Sequence, residues 1–277
     1  MGKLKLLLCL CFSVCSLFPK AQEGNVLNIE FEKKIEGYFS KFYVDNQENI
    51  YVLKDDNIQI KKLSNKGDSL QIFDNVTQYG NVSSMNVSNA LKLLVYYKDF
   101  STVLMLDRFL NVVNTIDLRQ SGIAQSHVVA SSYDGQIWTY DELNAQIKKL
   151  NAQGDVTFTS TDLRTVFGNA PNPDKIIDNN GVLYLYDKNQ GWLLFDYYGA
   201  FKQKLEYKNW ENVSVMNNIL FGRTGDTLWI CNPKKLIAQS FKTSMNIDFQ
   251  QVRQLFFGGG KLYILNNDGI DVYDIKQ

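Results

Sequence analysis

The chain contains a single histidine, His127, among its 277 residues, and this limits the catalytic chemistry that the sequence can support. Two imidazoles cannot meet at a zinc ion. A catalytic triad would depend on His127, whose neighbours Ser126 and Val128 indicate no activated nucleophile. No GxxxxGKS, GxxxxGKT or GxGxxG segment indicates a phosphate-binding loop. We therefore expect a protein that is not an enzyme.

Carboxylates in short turns offer an alternative chemistry. They are Asp55, Asp99, Asp141 and Asp187. Carboxylate oxygens are ligands that calcium prefers, so turns that converge on one axis could support a calcium-dependent hydrolase or lyase acting on a small substrate. Aspartate is also a common turn former, and lysines accompany three of the acidic turns. The favoured expectation is no metal and no cofactor, with the calcium-supported enzyme as the alternative.

Aromatic and arginine side chains, together with the single histidine, occur in the longest irregular segments, residues 74–84, 118–127, 162–175 and 208–213. The candidate partner-binding residues are Tyr79, Arg119, His127, Arg164, Phe167 and Trp210. Aromatic and arginine residues on loops supply large contact areas and forked hydrogen bonds. We expect them to bind a protein or a glycan of the cell envelope. Alternatively, Phe167 and Trp210 fill gaps between neighbouring units of the fold.

The composition indicates a globular protein with ample material for a core. Hydrophobic residues make up 45% of the chain, and 29 basic side chains balance 29 acidic ones. A formal net charge of zero argues against a nucleic-acid partner, which a basic surface would attract.

The elements that position these residues form a repeat. Six times, a strand-like apolar run is followed by a short polar turn and a second strand. The second strands begin at Asn57, Ser101, Ala145, Gly191, Asp226 and Gly269, in steps of 44, 44, 46, 35 and 43 residues. A propeller blade of four antiparallel strands uses about 40 to 45 residues. The repeat predicts an all-β fold, a six-bladed β-propeller.

Tight-turn glycines follow several of the second strands, at Gly67, Gly154 and Gly199, where a hairpin bulge requires a positive φ. The second repeat lacks this glycine, and Asn232-Pro233-Lys234-Lys235 replaces it in the fifth.

The two ends of the chain predict ring closure. The last repeat supplies only three strands before Gln277, and the alternating segment 26–31 precedes the first repeat. We expect this N-terminal strand to complete the last blade and remove its open edge, so that residues 22–277 form one propeller domain.

The N-terminal residues resemble a secretory signal peptide. Lys3 and Lys5 precede an apolar stretch of 13 residues, and cleavage after Ala21 would leave 26 basic and 29 acidic side chains. We expect residues 1–21 to be removed on export, with the protein periplasmic or associated with the outer membrane and monomeric before it meets its partner. Lipidation of Cys15 is the alternative. No transmembrane segment is expected in the mature chain, where Cys231 is the remaining cysteine.

The turn-strand elements at residues 134–141 and 178–187 resemble the blade motif of NHL-type six-bladed propellers. The resemblance implies a disc with a central channel that is used for binding, and no particular reaction. Asp68-Ser69-Leu70 and Asp226-Thr227-Leu228 look like the O-glycosylation motif of envelope proteins in Bacteroidota. That likeness implies an envelope protein of such a bacterium.

Overall fold

The computed structural model describes residues 25–54, 58–74 and 79–276, which form six small β-sheets. The expected signal segment 1–21 and Cys15 lie outside these residues. Among the described residues, no helix has the length and hydrophobicity needed to cross a bilayer.

Each sheet is one blade of a six-bladed β-propeller, which confirms the predicted fold. Blade 1 contains β3 (Lys41–Val44), β4 (Ile50–Leu53), β5 (Gln59–Leu63) and β6 (Ser69–Asp74). Blade 2 contains β7 (Ser84–Asn86), β8 (Leu93–Tyr97), β9 (Thr102–Leu106) and β10 (Val112–Asp117). Blade 3 contains β11 (Val129–Ser131), β12 (Ile137–Asp141), β13 (Gln146–Leu150) and β14 (Val156–Thr159).

The other three blades follow the same order. Blade 4 contains β15 (Lys175–Asn179), β16 (Val182–Asp187), β17 (Gly191–Asp196) and β18 (Phe201–Leu205). Blade 5 contains β19 (Glu211–Met216), β20 (Ile219–Thr224), β21 (Thr227–Asn232) and β22 (Ile237–Thr243). Blade 6 contains β23 (Gln254–Gly258), β24 (Lys261–Leu265), β25 (Gly269–Ile275) and the N-terminal β2 (Ile29–Glu36). A 3₁₀ turn (Lys98–Phe100) and the short helix α1 (Arg164–Phe167) lie in connections.

The first strands contact one another in sequence from blade 2 through blade 6 to blade 1, and they enclose a central channel. The strands within a blade alternate in direction, so all first strands run the same way along the channel. We name the end at which the first strands begin the upper face. It carries the connections between blades and the turns between second and third strands, while the remaining turns form the lower face.

Ring closure is confirmed, and it involves two N-terminal strands, the long β2 and a short strand that precedes it. β2 pairs antiparallel with β25, from Ile29 opposite Ile275 to Glu36 opposite Gly269. The preceding β1 (Asn25–Leu27) pairs in parallel with the outer strand β22 of blade 5. Between them, the Ser244 hydroxyl accepts a hydrogen bond from the Ile29 amide at 3.0 Å. The N-terminal segment therefore joins blades 5 and 6 as well as closing the ring.

The hydrophobic core is divided into six clusters, one at each junction between neighbouring blades. Blades 3 and 4 meet through Trp138, Tyr140, Leu183 and Leu185, all fully buried. Because both faces of a blade's second strand are covered, β4 and β8 are apolar throughout and lack the alternation of a one-sided sheet.

The turn between the third and outer strands of a blade requires one residue with a positive φ. Gly67, Gly154 and Gly199 have φ values of 92°, 91° and 72°, and the strand register shifts beside each of them. This confirms the bulge expected from the glycines. In blades 2 and 5, Leu110 and Leu236 adopt φ values of 65° and 59° at the equivalent turns. Both leucines therefore adopt a left-handed backbone conformation, which is energetically unfavourable for any residue that has a Cβ atom.

Candidate functional site

Arg119, one of the expected partner-binding residues, is held at the upper face of blade 2. Its guanidinium Nη2 donates a hydrogen bond to the Phe100 carbonyl at 2.9 Å, and its Nε lies 3.4 Å from Asp117. The Arg119 side chain nevertheless remains more than half exposed. This arrangement orients an accessible guanidinium while leaving surface free for a partner.

His127 and Arg164 are held in the same manner over blade 3. The Nδ1 atom of His127 lies 2.5 Å from a carboxylate oxygen of Glu142, in the turn between β12 and β13. Arg164 donates to both oxygens of Asp162 and to the carbonyl of Asn144 in that same turn. Hydrogen bonds from Arg164 keep the pKa of Asp162 below its usual range. The two connections are therefore anchored to one turn.

Apolar side chains on these turns complete a surface that the sequence reasoning missed. Phe100 is 45% exposed beside Arg119, and Leu143 is 59% exposed between Glu142 and Asn144. We call Phe100, Arg119, His127, Leu143 and Arg164 the upper patch. The sequence could have indicated this surface through an apolar residue inside a polar turn, such as Phe100 in Lys98-Asp99-Phe100-Ser101.

The other three expected residues pack against neighbouring aromatic rings. Trp210 is only 4% exposed, and its ring stacks with those of Tyr207 and Trp229 at 5.4 and 6.2 Å. A Cβ on Gly222 would come within 2.7 Å of the Trp210 ring, so glycine is required there to admit it.

Phe167 and Tyr79 are half-buried. The Phe167 ring lies 5.0 Å from that of Phe201 in the outer strand of blade 4. The Tyr79 ring lies 5.4 Å from that of Tyr97 in blade 2. The packing of Phe167 and Trp210 is the arrangement expected for residues that fill gaps between elements.

Two of the acidic residues of the calcium alternative, Asp141 and Asp187, are bound to protein groups. Asp141 is buried, lies 2.7 Å from Lys148 Nζ and accepts a hydrogen bond from Asn144. Burial acts to raise its pKa, but the hydrogen bonds from Asn144 and Lys148 outweigh it and lower the pKa.

Asp187 accepts hydrogen bonds from the amides of Asn172, Asn189 and Gln190. Asp99 is exposed in its turn, and Asp55 lies outside the described residues. Across residues 25–54, 58–74 and 79–276, no three acidic, histidine or cysteine side chains form a group that could hold a metal ion.

The central channel contains a cavity of about 530 Å³. The first strands of blades 1, 2, 4, 5 and 6 line it, together with residues of the upper connections. Its wall combines aromatic and aliphatic groups with Lys175, Ser214 and Tyr43. Its size is within the range of small-molecule sites, so the channel is a second place where a ligand could bind.

The fold and these surfaces define the chain as a six-bladed β-propeller with an upper patch and an open channel. No protein-family model and no curated protein sequence matches the chain. Among solved structures, virginiamycin B lyase from Staphylococcus aureus superposes with a TM-score of 0.62 at 10% identity, covering 90% of this chain and 100% of that one. The Neurospora crassa Pan2 WD40 domain gives 0.63 at 9% identity, covering 91% and 95%. BBS1N in complex with ARL6DN gives 0.55 at 12% identity, covering 86% and 78%. At these identities the likeness shows the fold, which enzymes and interaction modules share.

Proposed function

We propose that the chain is a non-catalytic β-propeller of the cell envelope that binds a protein partner through the upper patch. The observation that carries the proposal is the set of hydrogen bonds that fixes Arg119 and Arg164 against the turns bearing Phe100 and Leu143. These contacts hold two arginines in place before binding, which reduces the entropy lost when a partner docks.

The composition of the upper patch supports a protein partner. Arginine and aromatic side chains are enriched among the residues that dominate protein interfaces, and Phe100 and Leu143 supply apolar contact area beside the two guanidinium groups. A glycan is the competing ligand, since arginine also binds the hydroxyl and acidic groups of sugars. Export to the envelope rests on residues 1–21, and the NHL-type and Bacteroidota assignments rest on the motifs quoted above.

The proposal is tested by capture from an envelope extract with matched variants on the two faces. The first variant carries Phe100→Ala and Arg119→Ala at the upper face of blade 2. The control carries Phe109→Ala and Arg108→Ala, an exposed pair in the lower turn of the same blade. Each variant loses one phenylalanine and one arginine, so the two variants change in charge and hydrophobicity by the same amount.

We expect the wild type and the lower-face control to retain one stoichiometric protein, and the upper-face variant to bind it about 30-fold more weakly, as expected for loss of an interface anchor. Equal retention by both variants would show that the partner uses another surface. Retention of a carbohydrate in place of a protein would change the partner class and leave the assignment of the face intact.

A further inference from the structure

Lys175 extends a cationic group into the central channel without a counter-ion. It begins β15 in blade 4 and lines the cavity, where its side chain remains accessible to water. Among the described residues, no carboxylate or other polar group forms an ion pair or hydrogen bond with its Nζ atom. An unneutralised ammonium group that lines a cavity is available to pair with an anion that enters it.

The acidic residues of the same wall are bound to other groups. Asp174 accepts a hydrogen bond from the Lys188 amide at 3.0 Å. Asp178 accepts hydrogen bonds from the Tyr197 hydroxyl and the Trp138 ring nitrogen, both at 2.9 Å. Glu211, at the upper rim, lies 3.2 Å from Arg223 Nη2. The cavity therefore contains carboxylates, but they do not neutralise Lys175.

Lys41 adds a second positive charge close enough to act on Lys175, although it is not among the residues that line the cavity. It begins β3 in blade 1, and in a ring of six blades, blade 1 lies opposite blade 4. Because each lysine is the first residue of the first strand of its blade, both lie at the upper end of the channel. The Nζ atom of Lys41 donates a hydrogen bond to the carbonyl of Ser83 at 2.7 Å, a neutral partner.

The electrostatic effect of this arrangement appears in both ammonium groups. Desolvation by the channel wall lowers the pKa of Lys175, and the charge of Lys41 lowers it further. Burial also lowers the pKa of Lys41. Each group is therefore destabilised in its charged form, and a negative charge between them would reverse that effect.

Hydrogen-bond donors are also present in the cavity wall. Ser214 is 7% exposed, lines the cavity, and has a hydroxyl without a hydrogen-bond partner among the described residues. Tyr43 lines the same cavity, and burial raises the pKa of its phenol to about 12, so the phenol keeps its proton at neutral pH.

We propose that the upper half of the channel binds a small anion, with its carboxylate or phosphate group on Lys175 and the rest of the molecule in the cavity below. Carboxylate and phosphate oxygens accept charge-assisted hydrogen bonds from an ammonium group, and the nearby charge of Lys41 adds to the attraction. The cavity volume accommodates a small metabolite and excludes a folded partner. The inference is independent of the upper patch, which lies over blades 2 and 3.

The test uses the mature chain with two probes, inorganic phosphate and succinate, each compared with chloride at equal ionic strength. Binding is measured by calorimetry and by the midpoint of thermal unfolding, which rises when a ligand binds the folded state alone. The variants are Lys175→Met and Lys41→Met. Lys242→Met, at an exposed position on β22, is the control for the same change in net charge.

We expect at least one probe to raise the unfolding midpoint of the wild type and of Lys242→Met, and each channel variant to bind it at least about 10-fold more weakly. Without a probe, Lys175→Met should unfold at the same temperature as the wild type or higher, because an unpaired, partly desolvated charge is removed. The probe that binds identifies the preferred anionic group. Absence of binding by both probes at millimolar concentration, or equal weakening in Lys242→Met, would overturn the proposal. Neither result bears on partner capture by the upper patch.

Discussion

The left-handed leucines of blades 2 and 5 allow a stability prediction with opposite signs at equivalent positions. Leu236 has φ 59° and is 61% exposed, so its side chain gains little from packing. A left-handed conformation costs a residue with a Cβ about 1–2 kcal/mol. Glycine removes that cost but loses about 0.5–1 kcal/mol in backbone entropy on folding. We therefore expect Leu236→Gly to stabilise the protein by about 0.5–1 kcal/mol.

Leu110 has nearly the same backbone conformation, φ 65°, but is 4% exposed in the cluster between blades 1 and 2. Truncating a buried leucine costs about 2–5 kcal/mol, which exceeds the conformational gain. Leu110→Gly should therefore destabilise the protein by about 2–4 kcal/mol. The reverse change, Gly67→Ala in blade 1, isolates the backbone effect, because a Cβ there meets Ile35 at an ordinary distance of 3.5 Å. It should cost about 1 kcal/mol.

The assay is thermal and urea unfolding of the three variants beside the wild type. A stabilisation of 1 kcal/mol corresponds to a rise in midpoint of about 2–4 °C for a domain of this size. The reasoning is refuted if Leu236→Gly lowers the midpoint, or if Leu110→Gly and Leu236→Gly change it by the same amount. Unchanged urea m-values would show that the substitutions leave the compactness of the denatured state unaltered.

Three further perturbations test the described contacts. Asp141→Asn removes the buried partner of Lys148 and should cost about 3 kcal/mol near neutral pH, with exposed Asp226→Asn as a control that changes little. Because folding lowers the pKa of Asp141, its charged form stabilises the protein above the unfolded pKa of about 3.9, and this stabilisation is lost as the pH falls through the folded pKa. Urea unfolding from pH 7 down to acid should therefore show the stabilities of the wild type and Asp141→Asn converging. Trp210→Ala should lower the unfolding free energy by about 3–5 kcal/mol despite its position in a connection, and a change below 1 kcal/mol would contradict the packing described for it. Removal of residues 25–36 should expose the edges of β25 and β22 and produce aggregation detectable by light scattering, whereas a stable monomer would show that closure is dispensable.

The fold was predictable because its signals are local and repeated. Each pair of strands with its turn is contiguous in sequence, so the spacing of the second strands predicts the blades directly. The glycines at 67, 154 and 199 also mark their turns without reference to the rest of the chain. The break between β1 and β2 was not predictable, because it depends on two outer edges formed more than 200 residues later.

The site was less predictable because it depends on relations between distant segments. Arg119, His127 and Arg164 could be placed at the upper face because they lie in the connections between blades. The local sequence does not show, however, which residues of a connection are exposed and which, such as Trp210, are buried. Lys175 begins a strand that looks like any other in sequence. Its position opposite Lys41 follows only from counting blades around the closed ring.

The two-strand closure also determines the order in which the molecule can finish folding. Residues 29–36 pair with residues 269–275, so the contact that closes the ring has nearly the largest sequence separation that the chain allows. Loop-closure entropy makes such contacts slow to form. Residues 29–36 must therefore remain without their sheet partner until residues 269–275 are present, and a chain stopped before residue 269 retains an open edge on β24 in blade 6. The ring can close only after that late segment is available.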